Sequence, residues 1–153
     1  MKTSPTRTPC IGICSTTSIG DAICRGCKRY AFEVIRWNAY SEAEKEAVLR
    51  RIETLTVQIL KNRFHIQSRE ALESALNARK IPLNPALSPY CWLHSLLQKA
   101  SLADIDPAAC GFALLASGQG TSLAQLASVV NEELLVLCEA HFERYYSQVD
   151  SLA

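Results

Sequence analysis

Apolar residues recur at three- and four-residue intervals through most of this chain, the spacing that lines them along one face of an α-helix. Tyr30, Val34 and Trp37 form the first such set, with Ala31 and Ile35 beside them, and predict a helix after Lys28. Ser41-Glu42-Ala43-Glu44 then has the form of a capping box: the Ser41 hydroxyl accepts the Glu44 amide hydrogen, and the Glu44 carboxylate reaches back to the Ser41 amide. The helix opened there carries Val48, Leu49, Ile52, Leu55, Ile59 and Leu60 as one stripe, to about Arg63. Ser68-Arg69-Glu70 opens a third, to about Arg79, with Ala71, Leu72, Ala75 and Leu76 as its buried side.

Proline punctuates the second half. Ile81-Pro82-Leu83-Asn84-Pro85 breaks the helical pattern, and Ser88-Pro89 restarts it, a cap followed by proline in the first turn, with Trp92, Leu93, Leu96 and Leu97 facing inward. Asp106-Pro107 repeats the device and predicts a helix ending near Gly118 and Gly120. Ser122 caps the longest run, to about Tyr146. One of its faces carries Leu123, Leu126, Val130, Leu134, Leu137 and His141, and another Leu135, Cys138, Phe142 and Tyr145, which predicts a helix central to a bundle or shared with a partner. The expected fold is all-α, a small N-terminal knuckle followed by a helical bundle. There is no internal repeat.

Charge alters this picture only in its distribution. The net value is +1, but residues 1–40 carry +4, residues 41–80 carry +2 and residues 81–153 carry −5. A basic front and an acidic back imply either an anionic partner or mutual attraction of the two halves. Residues 1–9 lack the apolar core of a signal peptide, and nothing approaches the ~18 uninterrupted apolar residues of a membrane span. A cytoplasmic protein without membrane contact is expected, and in a reducing compartment its seven cysteines point to metal or redox chemistry rather than disulfides.

The candidate chemistry is concentrated at Cys10, Cys14, Cys24 and Cys27, a C-x3-C-x9-C-x2-C array with Gly12 and Gly26 inside the two pairs and a Gly20-Asp21 turn signal in the loop. Two close pairs joined by a short loop can converge on one ion, and four thiolates close a tetrahedral shell. Structural zinc is the expected cofactor, because such a shell supplies folding energy to a module too small for a core of its own. The alternative is an Fe–S cluster, which also takes four cysteines. A third reading, a redox dithiol at Cys24-Arg25-Gly26-Cys27, lacks the βαβ context that accompanies such motifs.

Residues 9–50 resemble the small bacterial family known as domain of unknown function 1289, often labelled a predicted Fe–S protein. The resemblance rests on Pro9-Cys10-Ile11-Gly12-Ile13-Cys14, Cys24-Arg25-Gly26-Cys27, Arg29, Glu33, Trp37-Asn38, Ser41, Glu44-Lys45 and Val48-Leu49. It implies a four-cysteine cofactor site and no particular activity. The family usually has Asp soon after its second Cys and Gly just before its third, where this loop reads Ser15-Thr16-Thr17-Ser18-Ile19-Gly20-Asp21-Ala22.

Elsewhere, Cys91-x2-His94 and Cys138-x2-His141 each place two potential ligands on one helical face, although core packing accounts for them, as for Cys110. His65, His94 and His141 are scattered, and no phosphate loop, nucleophile elbow or His-Glu-x-x-His appears, so no enzyme is expected. The chain is thus expected to comprise a cysteine-cluster module over 1–63 with two helices and a helical domain over 64–153, in which the 81–85 break precedes helices that fold without metal. Its expected role is a non-enzymatic, zinc-stabilised module acting as an adaptor for a protein partner. Alternatives are an Fe–S electron-transfer protein and an RNA-binding knuckle, the latter using Lys2, Arg7, Arg25, Lys28, Arg29 and Arg36 beside Tyr30 and Trp37.

Overall fold

Serine sets where most of the helices begin. In a computed structural model of the chain, which describes residues 20–116 and 120–145, the Ser41 hydroxyl accepts the Glu44 N–H at 3.2 Å while the Glu44 carboxylate accepts the Ser41 N–H at 3.1 Å. Ser68 accepts from the Ala71 N–H and Ser88 from the Tyr90 N–H, and Ser122 forms a second reciprocal box with Gln125. Each such cap is worth about 1 kcal/mol. The helices are α1 (Ala31–Arg36), α2 (Glu42–Lys61), α3 (Arg69–Ala78), α4 (Pro89–Lys99) and α5 (Leu123–Tyr145), with single 3-10 turns at Trp37–Ala39 and Leu102–Asp104.

The described residues are mostly helical, but not all-α. Short strands β1 (Phe64–Ile66) and β2 (Phe112–Leu114) pair antiparallel, with Phe64 opposite Leu114 and Ile66 opposite Phe112. The helix expected from Asp106-Pro107 toward Gly118 is therefore absent from 106–116. Its proline opens only a turn, in which the Cys110 N–H donates to Asp106 and Pro107 carbonyls. Gly111 then takes φ +81° and turns its carbonyl to the Gln67 and Ser68 amides, which commits the next three residues to the ladder. Helical propensity over one turn is weak against such long-range pairing.

By compactness the described residues form two units, 20–52 with 135–145, and 53–116 with 120–134. The second is built on aliphatic packing. Leu60, Phe64, Leu72, Leu76, Trp92, Leu93, Leu96, Phe112, Leu126, Val130 and Leu134 are all buried, each contributing about 1.5–3 kcal/mol. Phe64 and Phe112 meet edge to face, and the Trp92 indole N–H donates to the Asn84 carbonyl at 2.8 Å, fixing the proline segment before α4. α3 ends in a tight C-terminal cap. The Ile81 N–H donates to Leu76 and the Lys80 N–H to Asn77, with Lys80 at φ +57°. The first unit is built differently: beside Ile23, Tyr30, Trp37 and Val48 it buries Lys28, Arg29 and Glu33. Ile35, expected to pack beside Tyr30, is instead 78% exposed, because α1 is short and turns its Tyr30, Glu33 and Trp37 side inward. No helix among the described residues is long and apolar enough to cross a membrane.

Candidate metal centre

A Cys-x2-Cys pair can bite one ion only if the backbone between the thiols folds tightly, and the segment after Gly20 does so. The Lys28 N–H donates to the Cys24 carbonyl at 2.8 Å, the Cys24 N–H to the Arg29 carbonyl at 2.9 Å, and the Ala31 N–H to the Ala22 carbonyl at 2.8 Å. A single bridge between Ile23 and Tyr30 closes the loop, and Lys28 takes the left-handed conformation, φ +65°, that the reversal demands. The segment is a tight turn rather than a pair of regular strands, and the other half of the expected four-cysteine knuckle lies outside the described residues. Cys24 and Cys27 are both buried, 1% and 6% exposed.

Charge is brought in with them. The Arg29 Nε–H donates to Cys27 Sγ at 3.3 Å, and its guanidinium lies 4.9 Å from the Trp37 ring centroid. Lys28 turns its ammonium back onto the carbonyls of Arg25 and Gly26, the two residues separating the thiols. Burial pushes the Cys27 thiol above its ordinary range, an effect opposed by its contacts with Arg29. Burial likewise lowers the Lys28 ammonium, while the thiols of Cys138, Cys24 and Cys27 draw it back up.

Behind this turn, Arg51 on α2 makes a bidentate pair with Glu33 on α1, at 2.6 and 2.7 Å, and its guanidinium lies 4.0 Å from the Tyr30 ring centroid. Glu33 also accepts the Tyr30 N–H at 2.8 Å, capping the first turn of α1. The Tyr30 hydroxyl meets His141 Nδ1 at 2.7 Å, and Phe142 packs edge-on against its ring. Sequence reasoning missed this network. Its one signal was Glu33, which shares the helical face of Tyr30 and Trp37, where a carboxylate needs a cation.

Cys10 and Cys14 lie outside the described residues, so the structure brings together one of the two expected thiol pairs. Among the described residues, no group of three His, Cys, Asp or Glu side chains is arranged to hold a metal. Cys91 and His94 belong to one compact unit and Cys138 and His141 to the other. Burial pushes the Cys91 thiol to about 12 and the Cys138 thiol to about 11, and Cys110 is buried in the second unit, as packing residues are. His141 is satisfied by Tyr30 as its apolar stripe required. Of the side chains expected to meet RNA, Lys28, Arg29, Tyr30 and Trp37 are buried, and Lys2 and Arg7 lie outside the described residues. Arg25 and Arg36 are exposed.

The described half of the expected donor set is chemically suited to thiolate: two buried cysteines on one tight turn, one of them hydrogen-bonded to a buried guanidinium. Comparison with known proteins agrees with the resemblance read from the motif. Residues 8–56 match the family described as "Protein of unknown function (DUF1289)". The "Uncharacterized protein YdhL" of Escherichia coli K12 is 46% identical over 46 residues, 30% of this chain and 56% of that protein, and its Shigella flexneri counterpart gives the same figures. The chain thus spans about half the length of the curated relatives it matches. No solved structure matches it significantly.

Proposed function

From the premise that residues 8–56 form a DUF1289 segment, we propose that the protein is a non-enzymatic metal-binding module of the cytoplasm. Cys10, Cys14, Cys24 and Cys27 hold a structural Zn²⁺, and the surface so ordered serves as an adaptor for a protein partner. The observation that carries this reading is the turn at Cys24 and Cys27, in which two buried sulfurs are accompanied by an Arg29 Nε–H···Cys27 Sγ hydrogen bond. Neutral thiols have little use for a buried guanidinium, whereas thiolates are stabilised by it. A shell of four thiolates leaves no open position for substrate, hence a structural role.

The same hydrogen bond favours a second reading, an Fe–S cluster on the same ligands, since donors to cluster sulfur set its potential. RNA binding is less well supported, because half of the side chains it would use are turned inward. Metal analysis of anaerobically purified protein decides between the metals. Colourless protein with stoichiometric zinc supports the first reading, and brown protein with visible absorption and bound iron supports the second. Single Cys→Ser changes at the four positions are expected to abolish retention, whereas Cys91→Ala, Cys110→Ala and Cys138→Ala leave stoichiometry unchanged. Wild-type protein without either metal refutes both readings.

A further inference from the structure

Lys28 is an expensive residue where it stands. A left-handed backbone is natural to glycine and costs other residues about 1 kcal/mol, and a buried ammonium costs several more unless charge of opposite sign surrounds it. Lys28 bears both costs, at φ +65° and 2% exposure. Arg29, next in sequence, is 3% exposed, held between Cys27 Sγ and the Trp37 ring. Lys28 donates to the carbonyls of Arg25 and Gly26, the two residues that separate Cys24 from Cys27, so its charge is held at the turn that carries the sulfurs. A thiol gives a cation little; a thiolate gives it a full counter-charge.

We infer that Lys28 and Arg29 are the built-in counter-cations of the cysteine centre, tuned to a site that carries two negative charges when loaded. This rests on the four-thiolate reading. A divalent metal with four thiolates carries −2, as does an oxidised two-iron, two-sulfide cluster on the same ligands, so the requirement is common to both metals. Lys28 supplies one positive charge adjacent to Cys27 while its Nζ–H groups tie down the Arg25 and Gly26 carbonyls between the ligands. Arg29 supplies the other, donating directly to sulfur. Together they bring the loaded turn close to neutrality, the condition for burying it.

A backbone role and a charge role for Lys28 predict opposite outcomes for glycine. Lys28→Gly relieves the left-handed conformation and removes the charge; Lys28→Met removes the charge alone; Lys28→Arg retains it. The assay is transfer of metal from the loaded full-length chain to 4-(2-pyridylazo)resorcinol, for zinc, or to bathophenanthroline, for iron, with far-UV circular dichroism monitoring the fold. Lys28→Met and Lys28→Gly are both expected to weaken metal retention about 10- to 100-fold, the usual range for residues that support metal ligands, with Lys28→Arg close to wild type. Should Lys28→Met fail to fold, Lys28→Gly decides, since its backbone is the more comfortable. Loaded wild type with unchanged or tighter retention in Lys28→Gly overturns this inference alone. Wild type that holds no metal overturns the four-thiolate reading and this inference with it.

Discussion

Arg51→Met isolates the ion pair that joins α1 to α2. Glu33 and Arg51 meet at 2.6 and 2.7 Å with side chains 5% and 14% exposed. An exposed pair contributes about 0–1 kcal/mol, whereas removing one partner of a buried pair costs about 3–5 kcal/mol, because the remaining charge is stranded. Glu33 cannot swing into water to escape, since its carboxylate also accepts the Tyr30 N–H and releasing it would uncap α1. Methionine retains much of the arginine stem's volume, so the loss is chiefly electrostatic. We therefore expect Arg51→Met to cost about 3–5 kcal/mol, and Glu33→Gln with Arg51→Met to cost about 1–3 kcal/mol less than the sum of the two singles. The assay is urea unfolding of metal-loaded protein at neutral pH in a Trp92→Phe background, in which the remaining tryptophan, Trp37, reports on the first unit. A single-variant cost below about 1 kcal/mol, or strict additivity, would refute the claim that this pair is buried and coupled.

Four further outcomes follow from other parts of the fold. Lys80 occupies the left-handed cap of α3 with its side chain exposed, so Lys80→Gly should stabilise by about 0.5–1 kcal/mol, read in thermal unfolding. At Gly111 an added Cβ would stand 2.9 Å from the Ala71 Cβ and closer still to the Ser68 carbonyl, on a φ of +81°. Gly111→Ala should therefore cost about 2–4 kcal/mol in urea and expose the amides of 112–114 to exchange. Burial, followed by the nearby Arg51 and Arg144 charges, holds the His141 imidazole below its ordinary range. Its contribution to stability is complete above the unfolded-state value near 6.5 and is lost as pH falls through the lower folded value. His141→Gln should flatten that acid limb of the stability profile. Finally, a chelator should strip exchange protection from residues 20–40 while the 123–134 stretch of α5 keeps its own; collapse of both together would show that the helices after the proline segment do not fold without metal.

What could be read from the sequence was local. Ser41, Ser68, Ser88 and Ser122 announced four helices because a cap and its amide lie within three residues. The Cys24-x2-Cys27 turn was legible for the same reason. What escaped depends on partners far along the chain. Phe64-His65-Ile66 is too short to betray a strand, and its mate at Phe112–Leu114 follows a proline that elsewhere in this chain starts a helix. That Lys28 and Arg29 stand near thiols follows from the sequence, since they adjoin Cys27, but their burial does not, because lysine and arginine are mostly exposed. Only the fold reveals Arg29 between Cys27 Sγ and an indole ring and Lys28 clamped on the carbonyls between the thiols. Tyr30 looked like a packing residue, which it is, but its hydroxyl partner could not be named from sequence.

That partner has a consequence for the order in which the protein is made. Tyr30 and His141 are 111 positions apart, and Phe142 follows directly after. During synthesis the cysteine turn and both carbonyl clamps of Lys28 can form early, while the tyrosine behind them waits for His141 and Phe142 to be made before its ring and hydroxyl are covered. A nascent chain arrested ahead of residue 135 therefore carries a finished turn over an unfinished wall. On the metal-binding reading proposed above, that interval is when an ion would reach the thiols.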